Sequence, residues 1–276
     1  MQIMSLITAL PGAAAQGLIW GIMAIGVYIT FRILDIADLT VDGTLCTGGA
    51  VCIMMMLSGH NVWVSMLAAT GAGLLAGLAT GIFHTFMGIP AILAGILTQL
   101  SLYSINLKIM GKANQAINVD KFNLLVSLRR VKGVSLTQNT LFIVAIMIVI
   151  LIAILYWFFG TELGCSLRAT GCNPSMSRAQ GINTDRNKVL GLMLSNGLVA
   201  LSGALLTQYQ GFADINMGRG SIVIGLAAVI IGEAIFSRIF RNFALKLLSV
   251  VFGSILYYLV LQIVIWMGID TDLLKM

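Results

Sequence analysis

Apolar residues run along this chain in stretches close to twenty long, divided by short polar connectors. In order, they predict helices over 11–33, 62–87, 91–106, 139–160, 189–209, 221–237 and 247–267, most of them near the length that crosses a hydrocarbon layer of about 30 Å. The stretch 34–57, LDIADLTVDGTLCTGGAVCIMMML, breaks the pattern. In one continuous helix Asp35, Asp38 and Asp42 would fall at i, i+3 and i+7 and stack three like charges on one face. At bilayer depth each carboxylate would also cost at least about 2.5 kcal/mol. The expectation is therefore irregular backbone over 35–42, with Asp42 capping a shorter helix from Gly43 and Thr40 or Thr44 satisfying neighbouring amides. That brings the count to about eight crossings, some of them broken or half-helices.

Small residues mark where these helices approach one another. Gly17 and Gly21 lie on the first span, Gly73, Gly77 and Gly81 recur every four residues on 62–87, and Gly191, Ser195, Gly197, Ser202 and Gly203 crowd 189–209. Gln99 and Tyr103, four apart in 91–106, share a face. At that depth they either hold helices together or line a path. Two glycine-interrupted, partly polar segments, DLTVDGTLCTGGA at 38–50 and DINMGRGSIVIGLAA at 214–228, occupy the two halves of the chain. Such a pair points to a site between internal repeats; chance placement of glycine is the rival reading. The path candidates are Asp38, Thr40, Asp42, Gly43, Thr44, Gln99 and Tyr103, against an interfacial loop with solvated aspartates.

The most polar connector, RATGCNPSMSRAQGINTDRNK at 168–188, carries the punctuation of a small independent helix. Asn173 is an N-cap residue and Pro174 takes the first helical position, where its missing N–H costs nothing. Gly181 stops the helix about two turns later. Asn183, Thr184 and Asp185 offer a new cap for the next apolar helix. A short helix held between two spans is a handle for a partner protein; an ordinary loop that fixes topology is the alternative. In the long connector 107–138, residues 122–128 are expected to form a small interfacial element.

Composition narrows the class. Of 276 residues 59% are hydrophobic and 9% are charged, where a soluble domain carries about 25% charge. The fold class is all-α, a polytopic membrane protein organised as one transmembrane domain over 1–276. The net charge of +6 comes without an aromatic-interleaved basic stripe, so nucleic acid is not an expected partner. The N-terminal MQIMSLITALPG has no basic n-region and does not read as a cleaved signal peptide, so the first span, 11–33, is expected to be retained. Charge does not orient the chain. Arg32, Arg168, Arg178, Arg186, Lys188, Arg238, Arg241 and Lys246 fall on one side, and Lys108, Lys112, Lys121, Arg129, Arg130, Lys132, Arg219 and Lys275 on the other. Cys46, Cys52, Cys165 and Cys172 lack metal-ligand spacing and read as reduced packing residues, and His60 and His84 as non-ligands. Glu233 is expected to pair with a basic residue at the membrane edge. No phosphate-binding G-x-x-x-x-G-K-[ST] loop occurs, so no ATP-driven step belongs to this chain.

Three stretches carry a family resemblance. ELGCSLRATGCNPSMSRAQGINTDRNKVLGLMLSNGLVALSGAL at 162–205 is similar to the cytoplasmic coupling loop and following helix of ABC importer permeases of the branched-chain amino acid and ribose type. ILDIADLTVDGTLCTGGAV at 33–51 and LTQLSLYSINLKIMGKAN at 97–114 resemble a branch associated with importers of tryptophan or other small solutes. Met176-Ser177-Arg178 departs from the commoner alanine-rich pattern. The resemblance implies a permease subunit without chemistry of its own, working in the bacterial cytoplasmic membrane. It implies a separate ATP-binding cassette ATPase subunit that carries ATP and Mg²⁺, an extracytoplasmic substrate-binding lipoprotein and a second copy of the chain. It places 161–188 in the cytoplasm and 107–138 outside, and it assigns coupling to Arg168, Ala169, Gly171, Asn173, Pro174, Arg178, Gly181 and Ile182. The alternative is an ion-coupled secondary transporter using Asp38, Asp42 or Glu233.

Overall fold

The computed structural model describes residues 2–117, 124–131, 139–236, 240 and 242–267. Its helices are α1 (Gln2–Tyr28), α2 (Val41–Leu57), α3 (Val62–Thr85), α4 (Ala91–Met110), α5 (Thr140–Gly160), α6 (Glu162–Cys172), α7 (Pro174–Ala179), α8 (Thr184–Gln210), α9 (Ser221–Phe236) and α10 (Phe243–Trp266). Six apolar segments are long enough to span a bilayer, on α1, α3, α4, α5, α8 and α10; α2 and α9, at 17 and 16 residues, are shorter. All eight expected apolar helices are therefore present. The two short ones are the two segments whose glycine and polar interruptions set them apart in the sequence.

Two helices form the centre, α1 and α8, and small residues let their neighbours close on them. A side chain at Gly73 or Gly77 of α3 would run into the Asn196 or Leu192 carbonyl of α8, and one at Gly81 would meet Val189. A Cβ at Gly17 of α1 would lie 2.8 Å from the Ile255 Cα of α10. Backbones this close bring main-chain atoms into dispersion contact and leave carbonyls within reach of hydroxyls. Ser195 and Ser202 of α8 donate to the Gly26 and Ile19 carbonyls of α1, at 2.7 and 2.8 Å. The crowding anticipated on α8 is thus its packing against α1, α2 and α3.

The rim helices carry the opposite pattern. On α5 Val149, Ile154 and Trp157 stand exposed, as do Leu67 and Leu75 on α3 and Leu93, Leu97 and Leu100 on α4. An exposed, all-apolar face on a chain of this composition is the surface offered to lipid. At the end of the fold opposite α7, β1 (Asn114–Ala116) pairs antiparallel with β2 (Phe212–Asp214), Gln115 facing Ala213, and so ties the long connector to the loop after α8.

Several boundaries differ from the sequence reading. The first helix runs on from Gln2 and ends in a single π-turn, Ile29–Ile33, where Leu34 N–H reaches the Ile29 carbonyl at 3.1 Å. Where the interfacial element is expected over 122–128, residues 124–127 are irregular and a 3-10 turn follows at Leu128–Val131, while 122 and 123 lie outside the described residues. Lys121, Lys132, Arg238, Arg241 and Lys275 also lie outside them.

Candidate functional site

The irregular stretch predicted over 35–42 occupies 34–40, and its polar groups are satisfied one by one. Ile36 N–H donates to the Thr30 carbonyl at 2.9 Å, and Asp35 takes a left-handed φ of +55° that turns the chain back into the protein. Asp38 is buried. Its Oδ1 accepts from Thr40 N at 2.9 Å and its Oδ2 from Asn196 Nδ2 at 2.7 Å. Thr44 Oγ1 lies 2.7 Å from Asn196 Oδ1, and Thr40 Oγ1 lies 2.7 Å from Thr80 Oγ1, which donates to Thr98 Oγ1 at 2.9 Å. One connected network therefore joins the 34–40 break to α2, α3, α4 and α8. Asn196 sits near the middle of α8 and Thr98 in the first half of α4, so the network lies at mid-height. A break in helical backbone at that depth requires such partners, because lipid supplies none.

Asp42 does something other than expected. The sequence reading made it the cap of its own helix from Gly43. Instead α2 begins at Val41 after Thr40, which makes no side-chain cap. From the first turn of α2 the Asp42 carboxylate reaches across to α9, accepting from Gly220 N (3.0 Å), Ser221 Oγ (2.8 Å) and Ile222 N (3.0 Å). It caps a helix nearly 180 residues away. The reason is geometric: the connector 215–220 runs down alongside α2, with Gly218 packed on the Asp42 carbonyl and its N–H 3.2 Å from Cys46 Sγ. The N-termini of the two short helices thus meet at one carboxylate, which complements the positive end of α9 directly.

Beside this junction lies a cavity of about 350 Å³ bordered by Asp42, Gly43, Cys46, Gln99, Tyr103, Asn106 and Arg219, among others. Gln99 and Tyr103 do share a face, and that face looks onto the cavity. Of the seven path candidates, Asp42, Gly43, Gln99 and Tyr103 border it, whereas Asp38, Thr40 and Thr44 belong to the buried network behind. Gly43 is where α2 closes on α4, a Cβ there lying 3.1 Å from the Gln99 Cα. Asn106 and Arg219 were not candidates. Asn106 lies one turn of α4 beyond Tyr103 and extends the same polar face, a signal the sequence contains; Arg219 sits in a connector, where the sequence shows it only as a loop charge.

At the other end, α6 and α7 are built from local contacts. Asn173 Oδ1 accepts from Met176 N at 3.0 Å with Pro174 at the first position, and Gly181, at φ +81°, turns the chain. Asn183 Oδ1 then accepts from Arg186 N at 3.1 Å and starts α8 at Thr184. Arg178 donates to Thr184 Oγ1 at 2.7 Å and pairs with Asp185 at 3.2 Å. The α7 residues are exposed apart from Ser177. Ile182 N–H returns to the Ser177 carbonyl at 3.0 Å. Gly171 is in contact with the Ile33 carbonyl, so α6 rests on the π-turn, and Ala169 is half-buried. Arg168 departs from the group. Its guanidinium lies over the Phe243 ring at 5.8 Å and borders a cavity with Arg32 and Lys246, away from the α7 surface. Glu233 pairs with Arg32 at 3.1 Å.

Residues 10–276 match the family model described as branched-chain amino acid transport system / permease component. The chain is 39% identical to a tyrosine transport system permease protein of Clostridioides difficile (strain R20291) over 94% of this chain and 84% of that one. It is 38% identical to an uncharacterized protein of Rickettsia prowazekii (strain Madrid E), over 98% and 92%. An autoinducer 2 import system permease of Escherichia coli (strain K12 / DH10B) is 29% identical over 80% of this chain and 61% of that one. With eight apolar helices, a polar centre at mid-height and this similarity along nearly its whole length, the chain belongs to the branched-chain amino acid transport permease family and is a multi-pass permease component of an ABC transport system in the cytoplasmic membrane.

Proposed function

We propose that this permease passes an amino acid of the aromatic, tyrosine or tryptophan type through the cavity at the α2–α9 junction, receiving it from a substrate-binding lipoprotein. The observation that carries the path is the meeting of two short helices at Asp42, next to a cavity whose wall holds Gly43, Gln99 and Tyr103. Half-helix ends gathered at mid-membrane are the usual construction of a solute site. The amino-acid class is supported by the name and 39% identity of the Clostridioides difficile relative. In this reading the 161–188 end is cytoplasmic and the β1–β2 end faces the binding protein. An ATPase subunit carrying ATP and Mg²⁺ grips α7, and two copies of the chain form the working unit. The coupling surface is the exposed face of α7, Met176 and Arg178 foremost, and Arg168 contributes by holding α6 against α10. An ion-coupled mechanism is disfavoured because its candidate carboxylates are engaged: Asp38 with Thr40 and Asn196, Asp42 with α9, and Glu233 with Arg32.

The test is purification from the native membrane in mild detergent, followed by reconstitution. A P-loop ATPase should remain bound, and proteoliposomes should take up L-tyrosine or L-tryptophan only with ATP and binding protein. Uptake driven by an ion gradient without an ATPase would overturn the reading. Replacing Arg178 by Glu should weaken ATPase association; unchanged association and uptake would remove α7 as the contact.

A further inference from the structure

Two buried side-chain polar atoms among the described residues lack a hydrogen-bond partner: Trp20 Nε1 and Asn106 Oδ1. Each residue borders a different cavity. Asn106 borders the 350 Å³ cavity at the α2–α9 junction, and Trp20 borders one of about 630 Å³ between α1, α9 and α10. Arg219 borders both. It is exposed and has no ion-pair partner among the described residues. In the larger cavity Asp214 likewise has no ion-pair partner among the described residues; its carboxylate accepts from Asn216 N at 2.7 Å and Asn114 Nδ2 at 3.5 Å. The remaining wall is largely aromatic and aliphatic, with Tyr257, Tyr258 and Val223.

A guanidinium that makes no ion pair among the described residues, on the wall of a cavity that also borders Trp20 with its orphan indole N–H, is complementary to a carboxylate, which accepts two donors in the plane of the Arg fork. The Asp214 carboxylate on the same wall, hydrogen-bonded but with no ion pair among the described residues, complements an ammonium group. Aromatic walls around the two take an apolar or aromatic body. The orphan Asn106 acceptor offers a second, weaker stop for an N–H donor in the smaller cavity. We infer that Arg219, with Asp214, forms the zwitterion-binding station of this permease, holding the carboxylate of an α-amino acid at the junction of the two cavities. The inference rests on the amino-acid reading above and gives it a place and a polarity: carboxylate on the connector 215–220, side chain toward α1 and α10.

The experiment uses the permease with its ATPase and binding protein in proteoliposomes, with L-tyrosine as the probe at saturating binding protein. R219Q is expected to lower the ATP-driven uptake rate about tenfold or more, the size of one lost charge-assisted hydrogen bond. R219K retains more, and W20F loses less than R219Q. In a C46S/C165S/C172S background, which removes the other cavity-wall thiol and the two exposed ones, R219C treated with a cationic methanethiosulfonate regains uptake, while an anionic reagent leaves it low. This charge-specific rescue decides the matter even if R219Q assembles poorly. Uptake by R219Q at the unmodified rate, or R219C responding equally to both reagents, would overturn the station alone. Absence of L-tyrosine uptake by the unmodified complex, despite ATPase stimulation by the binding protein, would instead overturn the substrate reading and the station with it.

Discussion

The polar groups at mid-height and those at the α7 end solve the same problem in opposite ways. Around Asp38, Asp42 and Asn196 the bonds that tie the two halves together join partners 150 to 180 residues apart in the chain, Thr44 with Asn196, Asp38 with Asn196 and Asp42 with Ser221. Around Asn173, Arg178 and Asn183 they lie within seven residues. The mid-height groups are mostly buried where neither water nor lipid can replace a lost partner, so satisfying them depends on the whole fold being assembled. The α7 groups cap and turn their own segment and leave its outer face in solvent. A locally closed helix can be pushed as a unit without unpairing anything inside, while a network spread over five elements transmits a shift of any one of them. That division suits the proposed driving of the permease from its α7 end.

If the comparison is right, substitutions should fall into a steep order of stability effects. The largest belongs to the packing that brings the distant partners together: a side chain at Gly203 would overlap the Leu45 carbonyl, so Gly203→Val should give no monodisperse protein in gel filtration. Next, Asn196→Leu removes the donor to Asp38 and the acceptor for Thr44, and should cost about 3 kcal/mol, seen as a much lower melting temperature in detergent. A normal melting temperature would mean that water, not Asn196, satisfies Asp38. Asp42→Ala strips three hydrogen bonds from the α9 start and should cost about 1–2 kcal/mol, with uptake falling further than stability; full uptake would remove Asp42 from the path. At the other extreme, Met176→Asp on the exposed face of α7 should leave the melting temperature within about 0.5 kcal/mol of the unmodified value while ATPase association, measured by co-purification, drops. A destabilised Met176→Asp protein would dissolve the contrast between the two regions.

Legibility in the sequence follows the same division. Capping and turn chemistry act over three or four residues, so Asn173, Pro174 and Gly181 could be assigned their places directly, and α7 ends within two residues of its predicted stop, whereas Asn183 is only one of three candidate caps and the helix it starts begins at Thr184, five residues before the predicted 189. The glycine ladder 73–77–81 was legible as a contact face because helix periodicity alone puts the three on one side. The broken backbone at 34–40 was legible because three aspartates on one buried helical face are electrostatically untenable. The charge pattern carries no destination for the three side chains. Asp42 was assigned to the nearest helix start, and the structure gives it to another.

The order of apolar and polar residues was enough to establish that this is a helical membrane protein, where backbone must break and where a self-contained helix sits between spans. All of these are set by interactions within one or two turns, or by the length of a segment against the thickness of a bilayer. Only the tertiary structure decided that the two interrupted segments meet, that Asp42 is their common cap, that Arg168 faces Phe243, and that Arg219 stands between two cavities. Those pairings depend on which glycines let which backbones approach, and a one-dimensional pattern records that a helix has a small-residue face without recording what packs against it.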